Sequence, residues 1–161
     1  MRAYEPSDES AVLSINAEWV PAVGEMDADK ITYFAENAQF FIVEEDDAGE
    51  VIGFLIGLDE TNTDYPSKNY AWLKERYPKF AYVDRIALTD SARGNGLGAR
   101  FYNAFEAWAV GFGKIYLTAE VNTVPNNPAS HRFHEKRGFV ETGRAKPYGG
   151  DEEVAYYEKV L

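Results

Sequence analysis

YVDRIALTDSARGNGLGAR, residues 82–100, carries four kinds of local signal in one run. Tyr82, Asp84, Ile86 and Leu88 alternate with Val83, Arg85 and Ala87, the period-two pattern of a strand. Thr89, Asp90 and Ser91 are turn formers, because their short polar side chains bond to nearby backbone. Arg93-Gly94-Asn95-Gly96-Leu97-Gly98 follows. Beyond it, Leu97, Phe101, Phe105 and Trp108 fall at helical spacing, with Tyr102 and Ala109 beside them. The order is strand, polar turn, glycine-rich loop, helix. Glycine has no Cβ, so such a loop lets backbone come close to a ligand. The first N–H groups of a helix have no intrahelical acceptor, and with the helix dipole they favour an anion, most naturally a phosphate.

Three readings of the loop are open on its residues alone. One is a strand-to-helix turn with no ligand. A second is a dinucleotide fingerprint, since Gly94-Asn95-Gly96-Leu97-Gly98-Ala99 fits G-x-G-x-x-A; in that motif the strand runs almost directly into the first glycine, and here polar and small residues intervene. A Walker loop is excluded, because no Gly-Lys-Ser/Thr follows. The third is a pyrophosphate cradle with Arg93 at its mouth. Here the sequence resembles the GNAT superfamily of N-acyltransferases. Arg93 to Gly98 is similar to that family's Arg/Gln-x-x-Gly-x-Gly/Ala acyl-CoA loop, and Ile86-Ala87-Leu88 to its central strand. Asn127-Pro128-Ala129-Ser130-His131-Arg132-Phe133-His134, followed by Gly138-Phe139, resembles its second CoA-contacting helix. The clear matches run from Ala81 to Val140.

The resemblance implies an α/β fold of mixed α+β character, a mostly antiparallel mixed sheet of about seven strands flanked by about four helices. It implies one domain over residues 1–161. It further implies acetyl-CoA as acyl donor and N-acetyl transfer to a primary amine, of a small molecule or of a peptide or protein, by direct attack in a ternary complex. Cofactor contacts are then expected from Ile86, Ala87 and Leu88 on the strand, from Arg93, Gly94, Asn95, Gly96, Leu97 and Gly98 in the loop, and from Asn127 and His134. The Leu88 N–H is the group expected to polarise the thioester carbonyl.

The family places a tyrosine four residues before the Gly-Phe pair, and this chain has His134 there. A neutral imidazole N–H donates a hydrogen bond and an imidazolium gives up a proton, the charged form being a minority at neutral pH for a pKa near ~6.5. General acid, orienting group and plain helix histidine all stay open for His134, as does replacement by Tyr148 or Tyr102. For the base, Asp84 shares the face of Ile86 on the central strand; Glu120, with Asn122 on the following strand, is the alternative. Asp84 and Arg85 as structural residues paired elsewhere is also open. A second functional class, an acyl-CoA-binding sensor or interaction module with impaired turnover, is kept open by His134. A nucleotide-dependent oxidoreductase would follow from the dinucleotide reading.

With 161 residues, 45% of them hydrophobic and 15% aromatic, the chain is long and apolar enough for a real core. Its formal net charge of −11 argues against nucleic acid and anionic membrane surfaces as partners and suits a cationic amine. There is no cysteine, which excludes disulfides, thiolate catalysis and cysteine zinc sites. His131 and His134 would need carboxylates to complete a metal site, so none is expected. The N-terminus shows no apolar signal region and no run is long enough to span a membrane, so a cytoplasmic location is the default. A homodimer is compatible with the sequence, but nothing specifies it.

Ahead of the central stretch, Met1 to Pro6 suits a short edge strand, and Ser7-Asp8-Glu9-Ser10 resembles a capping box for a helix ending near Pro21. Asp27 caps a second helix. Gln39–Glu45 and Val51–Leu58 form a hairpin, with Gly53 and Gly57 marking close packing or a bulge. Residues 59–78 are irregular and rich in aromatics, with helical turns between Tyr70 and Tyr77, and could wall an acceptor pocket. Past the central helix come a strand over Lys114–Val121, a turn over Asn122–Pro128, a helix over Ala129–Arg137 with Gly138 at its end, and strands over Phe139–Arg144 and Val154–Leu161.

Overall fold

The computed structural model describes residues 1–161. Seven strands form a sheet in the order β1-β2-β3-β4-β5-β7-β6. The chain packs as two compact units, Met1–Leu58 with Asp84–Trp108, and Asp59–Val83 with Ala109–Leu161.

In the first unit, β1 (Arg2–Ala3) pairs antiparallel with β2 (Phe40–Glu45), which pairs antiparallel with β3 (Val51–Asp59). The helix α1 (Glu9–Glu18) is entered through a 3-10 turn over Pro6–Asp8. The capping box is formed by Glu5 and Asp8: Asp8 folds back and accepts the Glu5 N–H at 2.9 Å, while Arg2 clamps both its oxygens at 2.7 and 2.8 Å. The entry is therefore set earlier than Ser7–Ser10 implies. Asp27 caps α2 (Ala28–Asn37) by accepting the Lys30 N–H at 2.8 Å, as its position suggests. Val12, Ile15, Ile31, Phe34, Val43, Phe54, Phe101 and Phe105 fill the core. Fully burying each such side chain is worth about 1.5–3 kcal/mol. The two strand glycines are close-packing positions. A Cβ at Gly57 would overlap the Phe105 ring, and one at Gly53 would lie 2.6 Å from Leu88 Cδ2. The bulge in the hairpin falls elsewhere, between Glu44 and Glu45.

In the second unit, the first half of β4 (Phe80–Leu88) runs parallel to β5 (Tyr116–Val124), with Phe80 opposite Tyr116 and Val83 opposite Ala119. β7 (Glu153–Val160) lies antiparallel between β5 and β6 (Val140–Ala145). Strand β5 continues past Val121 to Val124, into the start of the expected turn, because Asn122 pairs with Val154 and Val124 with Glu153, and Thr123 and Val124 are β-branched strand formers. The helix α5 (Pro128–Lys136) starts with proline at its first position and is stopped by Arg137 as its C-cap and Gly138 after it, whose φ is 84°. The sheet and its mostly antiparallel order agree with expectation. The helices number five with α4 (Leu97–Gly111), against about four expected; α3 (Lys68–Lys74) takes up the helical turns expected inside the aromatic stretch after β3.

That stretch is held firmly. Ser67 caps α3 through the Tyr70 N–H at 3.2 Å. The buried Tyr70 hydroxyl lies 2.6 Å from the Asp59 carbonyl and 2.8 Å from that of Asn62, and Lys74 Nζ donates to Asn62 O at 2.6 Å. Below it, the Lys114 ammonium meets Asp59 at 2.7 Å with both side chains buried. Burial alone would push the Asp59 carboxyl up, but the hydrogen bonds from Lys114 and Thr61 hold it below the ordinary carboxylate value.

Candidate active site

The glycine loop is built by the last residues of β4, a 3-10 turn over Asp90–Ala92 and the start of α4. Gly94 and Gly96 have φ of 76° and 77°, the left-handed region in which a side chain is strained. Both are exposed, and a Cβ at either would meet nothing within 4 Å. The glycines are therefore required by the backbone path, and the space over the loop is open. The path ends on the N-terminus of the fifteen-residue α4. Its first N–H groups have no acceptor in the helix ladder, so the residues present fit a pyrophosphate. Arg93 lies over the Trp19 ring at 4.4 Å and reaches Asp90 at 3.5 Å. Asn95 donates to Ser91 O at 3.4 Å, which closes the turn.

Trp19 also donates from Nε1 to the Leu88 carbonyl at 2.7 Å. One indole therefore ties α1 to the end of β4 and supports the guanidinium of the loop. No sequence signal marks this, since the bonded residues are 69 positions apart. Ile86 and Leu88 are partly exposed and Ala87 is buried.

Asp84 and Arg85 are drawn together. Arg85 Nε donates to Asp84 Oδ2 at 2.9 Å, with both side chains nearly fully enclosed. Arg85 Nη1 also donates to Asn16 Oδ1 at 2.9 Å and to Gly24 O at 3.0 Å, and the guanidinium lies 5.2 Å from the Phe34 ring centre. This arrangement pins the connection between α1 and α2 to the central strand.

Glu120 sits in a different setting, in the second unit. Its Oε1 accepts from the Tyr82 hydroxyl at 2.9 Å and from Asn69 Nδ2 at 3.1 Å. The Asn69 carbonyl in turn accepts from the Tyr156 hydroxyl at 2.9 Å. Tyr156 lies opposite Glu120 across β5 and β7, and its ring stacks on Trp72 at 3.9 Å and 8°. Burial, with the Glu120 charge adding to it, pushes the Tyr156 hydroxyl up to about 12, so it keeps its proton and donates. Asn69, Tyr82 and Tyr156 come from three elements, and no local pattern couples them to Glu120.

His134 is buried on α5, and its ring packs edge-on to Phe139 at 5.1 Å and beside Tyr157 at 5.5 Å. Its Nδ1 lies 2.8 Å from the Ser130 carbonyl. A carbonyl only accepts, so Nδ1 carries the hydrogen and Nε2 presents a lone pair. Burial lowers the imidazole to about 4, aided by His131 and Arg137 and opposed by the Ser130 bond, so the ring is neutral at pH 7. The same reasoning gives His131 its hydrogen on Nε2, which donates to Asn122 O at 3.1 Å; Nδ1 then accepts from the Tyr157 hydroxyl at 2.8 Å. Asn127 is the N-cap of α5, its side chain accepting the Ser130 N–H at 3.2 Å. Tyr102 is buried in α4, and the exposed Tyr148 accepts the Lys68 N–H at 3.2 Å.

Residues 10–139 match the Acetyltransferase (GNAT) family. No curated protein matches the chain. Among solved structures, it is similar to Ard1 from Thermoplasma volcanium, with a TM-score of 0.79 and 22% identity over 99% of this chain and 95% of that one. It is also similar to Naa20 of Chaetomium thermophilum in complex with a bisubstrate analogue, with a TM-score of 0.76 and 20% identity over 99% of this chain and 85% of that one. A phosphinothricin acetyltransferase from Sinorhizobium meliloti in complex with AcCoA gives a TM-score of 0.74 at 20% identity, over 99% of this chain and 86% of that one. With the family matched over most of its length, the chain belongs to the acetyltransferase (GNAT) family and is an acyl-CoA-dependent N-acetyltransferase that uses acetyl-CoA as donor.

Proposed function

We propose that this chain transfers the acetyl group of acetyl-CoA to a primary amine by direct attack, with Glu120 taking the amine proton. The observation that carries the reading is the setting of the Glu120 carboxylate, whose Oε1 is fixed by hydrogen bonds from Tyr82 and Asn69. Asp84, the other carboxylate considered, is enclosed with Arg85, which supports a structural role for it. The match over residues 10–139 draws on both units and supports reading 1–161 as one acetyltransferase domain.

Acetyl-CoA supplies an activated thioester carbonyl. The chain's own residues bind, orient and move a proton. The amides of Gly94 to Gly98 and the Arg93 guanidinium hold the pyrophosphate. The backbone of Ile86 to Leu88 lines the cofactor arm, and the Leu88 N–H polarises the carbonyl. An aliphatic amine with a pKa near ~10.4 is mostly protonated at neutral pH, so a placed carboxylate has a proton to remove. The ammonium gives its first proton to Glu120 Oε before attack; as the new N–C bond then forms and the C–S bond breaks, the nitrogen gives its second proton to solvent. The sulfur leaves as thiolate, which at a thiol pKa near ~8.5 is protonated by solvent. His134, neutral and with its hydrogen directed at Ser130, orients the arm rather than protonating the sulfur in this reading. No cysteine is present, and the transfer needs no covalent enzyme intermediate.

The test is thiol release from acetyl-CoA across a panel of primary amines, with Glu120→Gln beside the wild type. The variant keeps the shape and one acceptor oxygen but not the basicity. Its kcat should fall about 10²–10⁴-fold at unchanged KM for acetyl-CoA, the usual worth of general acid–base catalysis. Wild-type turnover in Glu120→Gln would refute the assignment.

A further inference from the structure

The helix α3 places one polar side chain where it can direct the carboxylate. Asn69 Nδ2 donates to Glu120 Oε1 while Asn69 Oδ1 accepts from the Tyr156 hydroxyl. An amide has one acceptor side and one donor side. The tyrosine proton therefore fixes which side faces Glu120, and only the N–H side can serve a carboxylate. Each end of this relay is braced. Tyr156 is stacked on Trp72, which also carries the Arg76 guanidinium at 3.7 Å. Trp72 gets its place because residue 143 is glycine, where a Cβ would lie 3.0 Å from the indole. The helix itself is tied down through Ser67, Tyr70 and Lys74.

We propose that Asn69 is a positioning residue for acetyl transfer, holding the Glu120 carboxylate in one orientation through a relay that begins at Tyr156. This rests on Glu120 being the base. Asn69 touches no reacting atom; it acts by donating a hydrogen bond to Oε1 beside that of Tyr82. The helix that carries it thus serves the reaction as well as packing. The titratable and charged groups around this relay are Tyr82 from β4 and Tyr156 from β7, with Tyr148 and Arg76 beyond Tyr156. Removing the amide takes a stabilising donor from the carboxylate, so Glu120 should hold its proton to higher pH. Replacing Asn69 by aspartate sets a like charge beside it and should move it further in the same direction.

The experiment compares wild type, Asn69→Ala, Asn69→Asp, Tyr156→Phe, the Asn69→Ala/Tyr156→Phe double variant and Glu120→Gln. Turnover is measured against pH, and the Glu120 carboxyl is titrated by 13C NMR in the same proteins. Asn69→Ala should lose about 10–100-fold in kcat, the worth of a hydrogen bond to a charged group, with KM for acetyl-CoA unchanged. The acidic limb of its pH profile and the carboxyl titration should both move to higher pH. Tyr156→Phe, which keeps the ring on Trp72, should shift both in the same direction by less, and the double variant should be no slower than Asn69→Ala. Three results would overturn the proposal: no movement of the Glu120 titration in Asn69→Ala, losses that add in the double variant, or a KM effect alone. If Glu120→Gln turns over like wild type, the base assignment falls and the positioning role with it. If Glu120→Gln is slow and Asn69→Ala is not, only the positioning role falls. Should Asn69→Ala fail to fold, Tyr156→Phe and Asn69→Asp decide through the same titration.

Discussion

At the scale of single residues, burial decides chemistry that residue type leaves open. His134 occupies the position of a family tyrosine, and a histidine near ~6.5 could give or take a proton around neutrality. Burial, opposed only in part by the bond to Ser130, leaves a neutral ring at pH 7 with a value of about 4. The consequence for stability has a definite sign. The folded value lies below the unfolded one, so the unfolded chain takes the proton first as pH falls. Stability from this group is whole above about 6.5 and is lost as pH drops toward 4, by on the order of 3 kcal/mol. Replacing His134 by Phe, an aromatic among Phe133, Phe139 and Tyr157, should remove that part of the acid sensitivity. Urea unfolding at pH 7 and pH 4 measures it: the wild type should lose more stability than His134→Phe across that interval, and equal losses would mean the imidazole is protonated in the native state.

At the scale of elements, the loop before α4 and the relay behind Glu120 differ in how local they are. Gly94 and Gly96 follow left-handed backbone over open space. Gly96→Glu therefore sets its Cβ in open space. It should cost about 1–2 kcal/mol of backbone strain and place a negative charge where a phosphate is held. The expected outcome is a folded variant whose melting temperature no longer rises with acetyl-CoA or CoA, against a clear rise for the wild type. A retained shift would count against the cradle. The glycine loop, its strand and its helix were legible because turn chemistry, strand period and helical period are neighbours in sequence. The short helix α3 was legible only as helical turns. Its task was not, because Asn69 bonds Glu120 across 51 positions and accepts from Tyr156 across 87.

At the scale of the whole molecule, the charge of −11 sets a long-range field that individual ion pairs do not cancel. Such a field draws cationic acceptors toward the surface and is screened by salt, with a Debye length of about 10 Å at 0.1 M. For amines that carry a second positive charge, KM should rise severalfold between low and moderate ionic strength, while KM for amines of low net charge should change little. Steady-state kinetics over a salt series checks this, and a salt response common to all acceptors would assign the effect to something other than the acceptor. No helix is long and apolar enough to cross a membrane.

The sequence by itself determined the order of elements, the central strand and glycine loop, the caps at Asp27 and Gly138, and the resemblance that led to the family. All of these rest on contacts a few residues apart or on motifs read in line. The tertiary structure decided what the polar side chains do. It enclosed Asp84 with Arg85, gave Trp19 to Leu88 and Arg93, and joined Glu120 to Tyr82, Asn69 and Tyr156. The physical reason is that a side chain's proton and partners depend on which distant strands and helices surround it, and a sequence pattern carries no record of which ones those will be.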